Sequence, residues 1–305
     1  MSVIGTVFSV FLLLSLGYGA KKVRLLKAED ADLLNTVVVY MTLPAFIFDA
    51  IYSYRKPLPW SIAKAPAAGF ATILIVLAIA YLAGKAMNLS RPTLGGLIIA
   101  SGFGNTGFLG YPVVQAAFQD KAALVTAALY DELAMALPLY TMGALIAASF
   151  SGTRVDRAQL VRVLTLPSLI AIPVALVVRQ VSIPAPVISA IRYLAAGTVP
   201  MVMISLGLSL SGRSLRGMAL PVAVTCTLKL AVLPLLTYYA ARWAGLSGVV
   251  HQSTVLESAM PSAVMTCVIA SKFGADAKFV AGVIFLTTLL SIGTIPISII
   301  ILGIR

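Results

Sequence analysis

The chain has 305 residues, 60% of them hydrophobic and only 10% charged, with a net charge of +12. Globular chains carry roughly 25% charged residues, and a chain this short cannot hide so much apolar surface in one soluble core. A soluble domain is therefore excluded, and the surplus apolar surface must face lipid. The Lys and Arg lie in short connectors between apolar runs rather than along one stripe, which fits lipid headgroups and topology control and argues against a nucleic-acid partner.

In chain order the apolar runs cover 2–20, 33–52, 62–84, 93–117, 122–149, 160–179, 186–210, 217–241, 249–271 and 278–303. Each is near or above the roughly 20 residues a helix needs to cross a bilayer, and lipid leaves helices as the spanning structure for such runs. The expectation is an all-α membrane protein of ten transmembrane helices. The first run has no basic residue ahead of it and is followed by Lys21, Lys22 and Arg24, so it reads as a retained span rather than a signal peptide. No connector is long enough to form a further domain.

Placing the N-terminus outside puts thirteen Lys and Arg in inside loops: Lys21, Lys22, Arg24, Lys27, Lys85, Arg91, Arg154, Arg157, Arg162, Arg213, Arg216, Lys272 and Lys278. Eight fall outside: Arg55, Lys56, Lys64, Lys121, Arg179, Arg192, Arg242 and Arg305. Lys229 lies within a span. This bias predicts both termini outside.

The halves look related. A shift of about 156 residues carries Pro44 onto Pro200, Asp120 onto Asp276, and Gly104-Asn105 onto Met260-Pro261. Chance matching of prolines is the alternative. Five spans per repeat is odd, so the second half, 151–305, would be inverted relative to the first, 1–150. Inverted repeats with interrupted helices are a transporter architecture.

Two spans are interrupted. The fourth reads SGFGNTGFLGYP from Ser101 to Pro112, and the ninth reads ESAMPSA from Glu257 to Ala263. Against Ala in a helix interior, Gly costs roughly 1 kcal/mol and Pro roughly 3 kcal/mol, and in lipid the freed backbone groups must find partners. Half-helix N-termini attract anions, while half-helix C-termini attract cations. Close helix packing through small residues explains the glycines of the fourth span but not Asn105. Asn105, Thr106, Gly104, Met260, Pro261 and Ser262 are the candidate substrate-binding residues.

The run GNTGFLGYPVV in span four resembles the motif of the auxin efflux carrier family. Asn35 with Leu43-Pro44-Ala45-Phe46 fits the same family, as do Pro200 to Leu210 and Glu257 to Ala263. The resemblance covers essentially the whole chain. It departs from the plant carriers at Gly104, where they usually have Pro, and in lacking their long central loop. The resemblance implies a fold similar to bile-acid symporters. Spans four and nine would cross in a transport domain made from helices 3–5 and 8–10. Helices 1, 2, 6 and 7 would form a scaffold, and a small organic anion, auxin-like or another carboxylate, would sit beside the crossing. Bile-acid symporters have a similar Glu at a cation site, so Glu257 is a candidate for holding a coupling proton or sodium ion.

Ionisable residues inside a membrane are functional candidates by default. Asp131 and Glu132 are adjacent in span five and, as neighbours on an α-helix, point about 100° apart, which argues against one shared ligand. The alternative is pairing with Lys229, which sits near mid-span and could instead attract the anion or neutralise Glu257. Asp49 falls near the end of span two and reads as interfacial. His251 is the only histidine and cannot build a metal site alone. Cys226 and Cys267 lie inside apolar runs and read as small buried thiols.

These residues do not point to an enzyme. An intramembrane aspartyl protease needs a second Asp within a span, whereas Asp276 follows Gly274-Ala275 in a loop, and no serine has a placed base. A channel lacks a ring of charges or carbonyls. The reading is a secondary carrier with no cofactor beyond a coupling ion, whose partners are its anion, the bilayer and a second copy of the chain. With only Lys229 as a cation within the spans, a monocarboxylate is slightly favoured over a dicarboxylate.

Overall fold

The computed structural model describes residues 3–210 and 217–304. Arg213, Arg216 and Arg305, counted above for orientation, lie outside the described residues. Among those described the chain is all-helical, and the one strand-like pairing is an isolated antiparallel bridge between Gly104 and Ser262.

The helices are α1 (Val3–Lys22), α2 (Asp30–Ser53), α3 (Trp60–Ala86), α4 (Arg91–Gly102), α5 (Tyr111–Ala117), α6 (Lys121–Ser151), α7 (Arg157–Val163), α8 (Pro167–Val178), α9 (Ala185–Ser209), α10 (Ala219–Trp243), α11 (Gly248–Ser258), α12 (Val264–Phe273) and α13 (Ala277–Ile301). Of these, α2, α3, α6, α9, α10 and α13 are long and apolar enough to cross a membrane. Their outer surfaces carry many exposed large apolar side chains, with Trp60, Tyr193 and Trp243 among the most exposed. Such a surface suits lipid, not water.

Local chemistry sets the ends. Asp120 accepts the Ala122 N–H at 2.8 Å and starts α6, while Asp276 accepts the Phe279 N–H at 3.0 Å and starts α13. Each satisfies a donor that a helix start leaves free. Asp276 also accepts the Thr93 hydroxyl at 2.9 Å, which ties α13 to the first turn of α4. Gly152 and Gly274 close α6 and α12 in the left-handed conformation that favours glycine. The run at 160–179 is not one helix: it divides into α7 and α8, because Pro167 starts a new helix and its preceding residue, Leu166, is extended.

Two buried cores organise the helices. One gathers α1, α2, α5, α8, α9 and the first turns of α6; the other gathers α3, α4, α12, α13 and the end of α6. A close backbone approach joins α1 to α9. A β-carbon on Gly207 would lie 2.2 Å from Leu14 O, and one on Gly17 would lie 2.3 Å from Ile204 O. These helices meet backbone to backbone, the packing that small residues permit between membrane helices.

Because the obstructing atoms are backbone, no rotamer change relieves a larger residue. Gly207→Val is expected to destabilise by about 1–3 kcal/mol or more, read as a lower thermal midpoint of the detergent-solubilised protein. Gly19→Val, with no heavy atom within 4 Å of its new β-carbon, is expected to leave that midpoint near the wild-type value.

Candidate functional site

Helix α4 stops at Gly102, where Phe103 turns extended (φ −97°, ψ 123°). Residues 103–105 are not helical, and a π-helical turn, Thr106–Gly110, then leads into α5. On the other side, α11 stops at Ser258 and α12 restarts at Val264 after Ala263 turns extended (φ −66°, ψ 134°). Pro261 has no N–H to continue the α11 ladder.

The two breaks satisfy each other. Asn105 N–H donates to Pro261 O at 2.7 Å, and Ala263 N–H donates to Phe103 O at 3.0 Å. Ser262 adds two anchors: its hydroxyl donates to Ala100 O at 2.7 Å, and its N–H donates to Thr287 Oγ1 at 3.2 Å. Gly104 N–H points at Met135 Sδ, 3.3 Å away. Past the break, Leu109 and Gly110 N–H both donate to Asn105 O, at 3.0 and 3.1 Å.

A cavity of about 80 Å³ opens beside this pairing. Its polar wall holds Gly104, Asn105, Asp131, Glu132 and Ser168, and its apolar wall includes Leu43 of α2 and Leu139 of α6. Gly107, at the start of one half-helix, and Val264, at the start of the other, also face it. Asn105 is buried, and its Nδ2 has no hydrogen-bond partner; the same holds for Glu132 Oε2. The Thr106 hydroxyl donates to the Asp131 carboxylate. That carboxylate rests against Gly107, where a β-carbon would sit 2.9 Å from Asp131 Oδ2.

Of the expected site residues, Gly104, Asn105, Asp131 and Glu132 share this cavity, and Thr106 reaches it through Asp131. Met260, Pro261 and Ser262 are buried in the crossing and do not line it. Glu257 and Lys229 lie off it, at the end of α11. Glu257 is fully buried with neither carboxylate oxygen partnered, and it abuts Gly110, whose β-carbon would fall 2.1 Å from Oε2. Lys229 is also fully buried and donates to Ser258 O at 2.9 Å.

Asp131 and Glu132, expected to point about 100° apart and so to serve no shared ligand, both line this one cavity from a π-helical stretch, Tyr130–Ala136. Neither pairs with Lys229; among the described residues the ion pair is Arg192 with Asp49, at 3.2 Å. That contact joins α9 to α2, with Ser53 hydroxyl also donating to Asp49 at 2.9 Å.

Other singled-out residues have local duties. His251 Nε2 lies 3.1 Å from Tyr238 O, with its ring edge-on to Tyr238. Cys226 is buried, and Cys267 Sγ reaches Ala277 O at 3.6 Å. Among the described residues no group of three His, Cys, Asp or Glu is placed to hold a metal. Sequence reasoning missed Gly107, Ser168 and Val264. Gly107 lay inside the GNTGF run, and Val264 follows from the restart of a helix after Pro261. Ser168 carried no signal.

Comparison with known proteins agrees with this architecture. A family described as "Membrane transport protein" matches residues 2–155 and 152–299. An uncharacterized transporter of Methanocaldococcus jannaschii is 31% identical over 293 residues, covering 94% of each chain. An uncharacterized transporter of Methanothermobacter thermautotrophicus is 32% identical over 293 residues, covering 96% of each. A Rhizobium meliloti protein named "Putative malonate transporter" is 25% identical over 304 residues, covering 95% of this chain and 93% of its own. The paired breaks, the multi-pass helical fold and these matches together identify the chain as a member of the auxin-efflux-carrier-like membrane transport family.

Proposed function

We propose that the chain is a secondary carrier of small organic anions, with a carboxylate bound beside the crossing of the two broken helices. The observation that carries this reading is the shared cavity. It gathers the starts of both half-helices, at Gly107 and Val264, together with the unpartnered Asn105 amide. Helix starts present free N–H groups and a partial positive charge to an anion. A carboxylate there would accept from Asn105 and from backbone N–H groups, without any side-chain cation.

In this reading the membrane is crossed ten times. The spans are α1, α2, α3, α4 with α5, α6, α7 with α8, α9, α10, α11 with α12, and α13. They form two inverted five-helix repeats, 1–150 and 151–305. Contacts of α1 with α9 and of α2 with α8 and α9 support a scaffold of spans one, two, six and seven. The remaining spans move the cavity between the two faces in an alternating-access, elevator-like cycle. The bias of basic residues supports both termini outside, and a bacterial inner membrane is the proposed setting.

A coupled proton is carried by the acidic residues: Asp131 and Glu132, which face the cavity, and Glu257, whose orphaned carboxylate lies off it against Gly110. The name of the Rhizobium relative brings a dicarboxylate into the proposed substrate class, beside the monocarboxylates favoured by composition alone.

Purified protein in proteoliposomes is expected to take up labelled malonate or a monocarboxylate with saturation; conductance that does not saturate would indicate a channel instead. Asn105→Ala removes a hydrogen bond to a charged group, worth about 1.5–3 kcal/mol, so uptake is expected to fall about 10-fold or more. Full transport by that variant would place the substrate elsewhere. Gly110→Ala drives a methyl into the Glu257 carboxylate and is expected to lower both uptake and thermal midpoint. Asp131→Asn is expected to flatten the dependence of uptake on an imposed pH gradient, measured in the same vesicles.

A further inference from the structure

The cavity beside the crossing sets a charge problem for any carboxylate that fills it. Among the described residues its wall carries two carboxyl groups, Asp131 and Glu132, and no Lys, Arg or His. The two are not alike. Asp131 accepts the Thr106 hydroxyl and rests against Gly107 at a half-helix start, where negative charge is favoured. Glu132 is 2% exposed, and its Oε2 has no hydrogen-bond partner. A buried carboxylate oxygen without a donor, beside a second carboxylate, costs far more than a carboxylic acid in the same place.

The surroundings give Glu132 no ion-pair partner. Of the elements packed on its π-helical stretch, α11 brings Glu257, another acid, and α3 carries Lys64 and Lys85 only near its two ends. Lys229 of α10 is engaged elsewhere: it donates to Ser258 O at 2.9 Å, and its Nζ lies 3.1 Å from where a β-carbon on Gly104 would stand. The phenols around Glu132, Tyr140 in the cavity wall and buried Tyr111 at the start of α5, are neutral at physiological pH. From α8 the wall receives only the hydroxyl of Ser168.

A bound carboxylate would add a third negative charge. The unpartnered Asn105 Nδ2 is one donor of this wall. A proton on Glu132 Oε2 makes a second, and a cavity of about 80 Å³ leaves a carboxylate little room to stand clear of either.

We propose that Glu132 contacts the substrate as a carboxylic acid, which keeps its proton and shares it in a hydrogen bond with the bound carboxylate, while Asp131 stays ionised. No bond to hydrogen is broken: the proton stays on Glu132. Binding of the anion and protonation of Glu132 are therefore linked, and each strengthens the other. Ionised Glu132 repels the anion. This role rests on the carrier reading for the place of the carboxylate, and it singles out one of that reading's three acids as the group that touches it.

Propionate is a suitable probe, because it is fully ionised over about pH 7 to 9.5. Calorimetric titration of the detergent-solubilised wild type is expected to show affinity falling towards the alkaline end, by up to about tenfold per pH unit for one linked proton. Glu132→Gln keeps an N–H donor that cannot ionise and is expected to bind propionate without that fall. Glu132→Leu removes the donor and is expected to bind about tenfold or more weakly at neutral pH. Infrared spectra need no ligand: the wild type minus Glu132→Gln is expected to show the carbonyl stretch of a buried carboxylic acid at neutral pH. Added propionate is expected to shift that band in the wild type.

A wild-type affinity that holds constant to the alkaline end would overturn the proposal. So would a Glu132→Gln protein that keeps the wild-type fall, or a ligand-free difference spectrum with an ionised carboxylate in place of the acid. If neither propionate nor malonate binds the wild type, the carrier reading falls, and the ligand-free spectrum still decides whether Glu132 holds a proton.

Discussion

Two backbone hydrogen bonds, Asn105 to Pro261 and Ala263 to Phe103, are the constraint on which the centre of this molecule depends. In a lipid setting, an unpaired backbone group costs several kcal/mol, so a helix cannot simply stop at mid-depth. Helix α4 stops because α11 stops opposite it. Each break supplies the partners that the other needs, and neither would be stable alone. The need for facing breaks places them at one level and brings two half-helix starts to one cavity.

Opposite charges then settle on opposite helix ends. Asp131 rests against Gly107 near the start of a half-helix and takes the Thr106 hydroxyl. Lys229 takes the last free carbonyl of α11. Both placements follow the sign of the helix dipole. They also require glycine: the carboxylates of Asp131 and Glu257 press on Gly107 and Gly110, and the ammonium passes Gly104. The glycines of the GNTGFLG run are therefore clearances for charged side chains rather than contacts between bare helices.

Much of this was legible in the residues. The apolar runs at 33–52, 62–84, 122–149, 186–210, 217–241 and 278–303 mark α2, α3, α6, α9, α10 and α13 within a few positions because lipid tolerates few polar residues along a span. The end of α4 and the restart of α12 are signalled by Gly102, Gly104, Asn105 and Pro261. The caps at Asp120 and Asp276, which stand about 156 positions apart, each open the helix that follows its break. What could not be read depends on packing across the chain. The π-helical turns that carry Asp131, Glu132 and Lys229 have no local marker, and winding decides which side chains share a wall. The acceptor of Lys229 is 29 residues away in sequence. Ser168 enters the cavity only because Pro167 restarts the helix there.

The closeness of Gly104 to Lys229 has a bearing on descent as well as on structure. A β-carbon at position 104 and a lysine tip at position 229 draw on the same space, so what one position holds limits the other. A lineage that gained Pro or Ala at 104 while keeping Lys229 would have to shift the lysine tip. One that first lost the lysine would gain room for a larger residue but forfeit the charge that closes α11. Passage between the two states is easiest when both change together.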